Sequence, residues 1–121
     1  MVEAETANLD GLRQDESEAI LDLIRRLNEG YPDQIGELLL YGSKARRDGS
    51  PDSDIDLLVL MKSDDWVIRQ SILRLAARVS LEFDVILSLM VMSEARWDDH
   101  KGLNLYRNIL QDARKLMFSS N

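Results

Sequence analysis

At 121 residues, with 45% hydrophobic and 31% charged residues, the chain has room for one globular domain with a real core and not for a second. The absence of cysteine excludes disulfides and thiolate metal sites, so any metal is held by oxygen or by the single His100. A net charge of −7 argues against direct nucleic-acid binding, which needs a basic surface, and fits a basic protein partner better. No apolar stretch approaches a membrane span, and the acidic start Met1-Val-Glu-Ala-Glu-Thr6 is unlike a secretory signal, so no membrane association and a cytoplasmic location are expected.

Residues 1–14 lack periodicity and read as a flexible N-terminal lead-in, leaving 15–121 as the single domain. Asp15 and Glu18 resemble an acidic capping box, after which Ile20, Leu23, Ile24 and Leu27 fall on one helical face. Gly30 and Pro32 end that helix. A strand is predicted over about 36–41, and a short helix from about Lys44 closes at Asp48-Gly49. The next strand, 54–61, is almost wholly apolar beyond its acidic start, the pattern of a central strand covered on both faces.

Ile68, Ile72, Leu75, Ala76 and Val79 place an amphipathic helix over 64–80. A third strand is predicted over about 81–89, with Asp84 inside it. Ser93 or a neighbour starts another short helix, and a further one covers about 103–111. Leu116-Met117-Phe118 either extends that helix or forms a short strand. Trp66 and Trp97 read as helix anchors, and Met90 and Met92 as core filling.

The chemistry concentrates between Tyr41 and Val59. A strand runs into Gly42-Ser43, a turn whose free N–H groups can face phosphate. Ten residues later come Asp54 and Asp56, spaced so that both point to one face of a strand and can grip one ion together. Each piece alone has a duller reading: Gly-Ser as a helix cap, Asp-x-Asp as a solvated turn in a chain with 22 acidic residues. Their combination at this spacing is informative.

Gly42-Ser43, ten residues, then Asp54-Ile-Asp56 resembles the signature of the polymerase-beta-like nucleotidyltransferase superfamily. Ser43-Lys-Ala-Arg46 and Ser53-Asp-Ile-Asp-Leu-Leu-Val59 are similar to its minimal nucleotidyltransferases, often encoded beside a HEPN-domain toxin. Leu105-Tyr106-Arg107-Asn108-Ile109 resembles the closing segment of that branch, which favours a strand at Leu116-Met117-Phe118. The resemblance implies an α/β (α+β) fold with a small mixed sheet flanked by helices. It also implies a third carboxylate on a later strand, assigned here to Asp84, with Ser43 on the terminal phosphates and Arg46 supporting them or ordering the loop.

Clustered carboxylates repel by about 4 kcal/mol per pair at 4 Å and an effective dielectric near 20, so such a site calls for a cation. With oxygen ligands and phosphate completing the shell, Mg²⁺ is the expected occupant, as two ions held by Asp54, Asp56 and Asp84. The implied function is transfer of AMP from ATP to a tyrosine hydroxyl of a HEPN-type toxin, with this chain as its antitoxin. The alternatives are a small-molecule nucleotidyltransferase, which usually carries an additional helical domain, and a binding-only antitoxin with a vestigial site. One residue departs from the pattern: Arg47 stands where the superfamily commonly has Gly, and a positive φ there would strain it.

Overall fold

The structure, a computed structural model, describes residues 2–4 and 9–119. Five strands form one sheet: β1 (Val2–Ala4), β2 (Ile35–Tyr41), β3 (Ile55–Met61), β4 (Leu87–Ser93) and β5 (Arg114–Ser119). Their order is β1-β5-β2-β3-β4; only β3 and β4 pair in parallel, as their connection through a helix allows. The helices are α1 (Gln14–Gly30), α2 (Gly42–Arg46), α3 (Trp66–Phe83), α4 (Glu94–His100) and α5 (Asn104–Asp112). The mixed sheet flanked by helices is the architecture expected from the sequence.

The sheet is apolar on both faces. Under α1 and α3, Ile20, Leu23, Leu27, Ile72 and Val79 close over Leu38, Leu40, Leu57 and Val59. Under α4 and α5, Trp97, Ile109 and Tyr106 close over Leu39, Leu58 and Leu60. The core leucines of β3 are thus covered on both sides, each contributing about 1.5–3 kcal/mol of burial. Met90 and Met92 fill the second layer, and Trp97 is a true anchor, but Trp66 is 67% exposed and anchors nothing. Among the described residues no helix is long and apolar enough to cross a membrane.

Three boundaries differ from the expectation. The cap of α1 lies earlier: Glu16, not Glu18, accepts the backbone N–H of Arg13 at 2.9 Å, the one half of a capping box that a donor-only arginine side chain allows. Of the expected lead-in, Val2–Ala4 pair with β5, a strand too short to show periodicity, and Leu9 is buried in the core; residues 1 and 5–8 lie outside the described residues. The largest difference is at α3, which continues through Phe83, so residues 81–83 are helix and the strand begins only at Leu87. The last apolar piece is a strand, β5.

Candidate functional site

The site grows from the turn between β2 and α2. Gly42 has φ 74°, a conformation open to glycine, and its second reason for being glycine is Asp56. A Cβ at Gly42 would lie 2.3 Å from Asp56 Oδ2, so the carboxylate rests directly on the turn backbone. β3 delivers Asp56 there, opposite Tyr41 on β2, and Asp54 precedes it by two residues at the exposed mouth of the strand. Partial burial pushes the Asp56 carboxyl above its ordinary range, and the nearby Asp54 charge adds to this, while Arg46 opposes both. Tyr41 is likewise pushed up, by burial and then by Asp56.

Ser43, Gly49 and Ser53 converge beside this pair. Ser43 Oγ lies 3.5 Å from Ser53 Oγ, and a Cβ on Gly49 would stand 2.6 Å from both hydroxyls. Arg46 projects from the end of α2 and is held by Asp48 at 3.0 Å and by Asp112 of α5 at 3.2 Å. A groove of about 430 Å³ opens between α2 and α5, with Tyr41, Gly42 and Arg46 on one wall and Leu105, Asn108 and Asp112 on the other. Gly42, Ser43, Arg46, Asp54 and Asp56 are therefore assembled around one turn.

Asp84, expected inside a strand as the third carboxylate, lies before β4 rather than in it. It is the left-handed cap of α3, with φ 53° and ψ 45°, exposed rather than buried in a strand. It lines a groove with Arg13, Glu16, Asp52, Ser53 and Ile55, the last two flanking Asp54 in the chain. The helix overruns because Leu81, Glu82 and Phe83 keep a helical register that a sequence rich in apolar residues does not distinguish from a strand start. Among the described residues no three acidic or imidazole side chains come together as a metal-binding group.

The basic residues around α2 are held by partners within the fold. Lys44 is buried and pairs with the buried Glu16 at 2.7 Å, so its charge is spent inside the fold rather than on a ligand. Arg47 does adopt positive φ, 64°, and caps α2 while its guanidinium meets Asp10 at 3.2 Å. Sequence reasoning missed Arg114. Its guanidinium donates to the carbonyls of Ala45 (2.6 Å), Lys44 (3.2 Å) and Asp10 (2.7 Å), fastening the end of α2 to β5. No short-range pattern could have found it, because its partners are some 70 and 104 residues away in sequence.

The Gly42–Ser43 turn thus packs on Asp56, two residues after Asp54, in a mixed sheet flanked by helices. Residues 22–117 match the family described as "Polymerase beta, Nucleotidyltransferase", and the chain belongs to that family. Two proteins of Methanocaldococcus jannaschii, each named "Putative protein adenylyltransferase", are 31% identical to it. One match covers 84% of this chain and 97% of the relative, the other 61% and 76%. A structure from Sulfolobus solfataricus described as a "putative nucleotidyltransferase" superposes with a TM-score of 0.58 at 19% identity, over 93% of this chain and 87% of that one. A toxin–antitoxin complex containing MntA gives 0.57 at 20%, over 84% and 73%. A toxin–antitoxin structure with AMP-PNP gives 0.56 at 17%, over 89% and 76%. These structures share the fold.

Proposed function

We propose that this chain transfers AMP from ATP to a hydroxyl of a partner protein, a tyrosine of a HEPN-type toxin, and so acts as its antitoxin in the cytoplasm. The observation that carries the proposal is the seating of Asp56 on Gly42, which joins a phosphate-facing turn to a carboxylate pair. Similarity to proteins named as adenylyltransferases and a fold shared with toxin–antitoxin structures support the choice of acceptor class.

The donor set fits Mg²⁺: it is all oxygen, and the Asp56 carboxyl, pushed up by burial and then by the Asp54 charge, is one whose ionised form a bound cation would favour. Asp54 and Asp56 are the residues that would hold the ion. A bound Mg²⁺ would supply charge neutralisation for the triphosphate and for the departing pyrophosphate. Ser43 and the Gly42–Ser43 backbone hold the terminal phosphates. Arg46 exchanges Asp48 and Asp112 for phosphate oxygens, a cheap exchange because exposed ion pairs contribute little. The acceptor oxygen forms a bond to the α-phosphorus as the bond to the β-phosphate oxygen breaks, releasing pyrophosphate and one proton. The chain's work is positioning and charge balance.

One observation favours a second reading, a binding-only antitoxin with a vestigial site: among the described residues no three acidic or imidazole side chains gather as a metal-binding group. Mass measurement of the HEPN-type partner after incubation with this chain, ATP and Mg²⁺ separates the two. A gain of one or more AMP units, lost in Asp54→Asn with Asp56→Asn, is the expected outcome. An unchanged mass within a tight complex establishes the second reading instead.

A further inference from the structure

The β3–β4 ladder decides what faces Asp56. Ile55 donates its N–H to the carbonyl of Ile86 at 2.9 Å, and the register that follows sets Asp56 beside Ser88, Leu58 beside Met90 and Leu60 beside Met92. Met90 and Met92 pack with Leu58 and Leu60 under α4 and α5, whereas Leu87 and Val91 belong to the layer under α1 and α3. Alternation along the strand therefore puts the exposed Ser88 on the Asp56 face. On the other flank β2 offers Tyr41. Both strand neighbours of Asp56 carry hydroxyls. Asp84 lies four residues before Ser88, outside β4, and lines the groove beside α1 with Asp52, Ser53 and Ile55.

We infer that the nucleotide site holds a single divalent cation, between Asp54 and Asp56, and that Ser88 is the residue that limits it to one. The inference rests on the nucleotidyl-transfer reading above. Two dications a few ångströms apart repel strongly and persist together only where carboxylates bridge and terminate them. Asp54, Asp56 and phosphate oxygens complete the shell of one ion. A second ion on the Ser88 side would meet a neutral hydroxyl there in place of a carboxylate, poor compensation for a small dication that sheds its water reluctantly. Ser88 thus makes this chain's site a one-ion variant whose second position a single carboxylate would restore.

The test counts ions rather than turnover. Mn²⁺ is titrated into the full chain saturated with AMP-PNP, with bound metal followed by calorimetry and by electron paramagnetic resonance. One Mn²⁺ per chain is expected, without spin coupling, and the same count in Ser88→Ala. Ser88→Asp is expected to bind two coupled ions, the second at least tenfold more tightly than the unsubstituted chain does. Two tightly held, coupled ions on the unsubstituted chain overturn the inference alone. So does a Ser88→Asp variant with native circular dichroism and melting that still binds one. A chain that takes up no ion even with AMP-PNP overturns the nucleotidyl-transfer reading together with this one, which keeps the two failures apart.

Discussion

Asp56 carries the clearest conflict between stability and function. Its folded-state pKa lies above the unfolded value of 3.8 because burial and Asp54 both disfavour the charge. Above pH 3.8 the unfolded chain therefore gives up this proton more readily than the folded one, and stability falls as pH rises through the window between the two values. Asp56→Asn should remove that penalty, raising the melting temperature at pH 7 while the gain fades as pH falls toward 4. Melting curves across that range check it, and a pH-independent difference would contradict the cause given. Arg47 is the complementary case, where strain sits on a residue outside the charge pair. Its left-handed backbone costs about 1–2 kcal/mol relative to glycine, offset by glycine's unfolded freedom of about 0.5–1 kcal/mol and a weak ion pair with Asp10. Arg47→Gly should leave stability unchanged or raised by up to about 1 kcal/mol, read from urea denaturation; a loss above that size would show that the Asp10 contact or the packing of the Arg47 stem against Gly11 outweighs the strain.

At the scale of elements, α2 is too short to hold its own place and is fastened from three sides: Glu16 of α1 through Lys44, Asp112 of α5 through Arg46, and Arg114 of β5 through its last carbonyls. The buried pair is the firmest of these. Lys44→Met should cost about 3–5 kcal/mol because it strands the Glu16 charge inside, and adding Glu16→Gln should recover most of it, since Gln keeps the cap on Arg13 without the charge. Chemical denaturation of both variants decides this; no recovery in the double variant would mean the loss is one of packing. This fastening also marks where sequence legibility ends. Gly42, Ser43, Asp54 and Asp56 could be read because their geometry is local, a turn and a period of two. Asp84 was misplaced because helix and strand look alike over a few apolar residues, and Arg114, Lys44 and Ser88 owe their roles to long-range pairing that no window contains.

For the whole molecule, the two-layered core explains why the fold was legible while the end of α3 was not. Alternation and helical periodicity repeat over many residues in β2, β3, α1 and α3, whereas the site depends on single positions in a strand register. The same separation predicts how the molecule responds to its ligand. A nucleotide held through Asp54 and Asp56 should stabilise the fold only with a divalent cation present. At about 100 times the dissociation constant the stabilisation is about 2.7 kcal/mol, or roughly 10 °C for a domain of this size. ATP in EDTA should give a small fraction of that shift. In Asp54→Asn with Asp56→Asn the two effects should take opposite signs: a higher melting temperature without ligand, because the like-charge repulsion is gone, and no further rise on adding ATP and Mg²⁺. Structural carboxylates would lower the baseline instead. Thermal melting of both chains with ATP, Mg²⁺, both and neither resolves the four cases, and an equal ATP shift with and without the metal would remove Asp54 and Asp56 as its ligands.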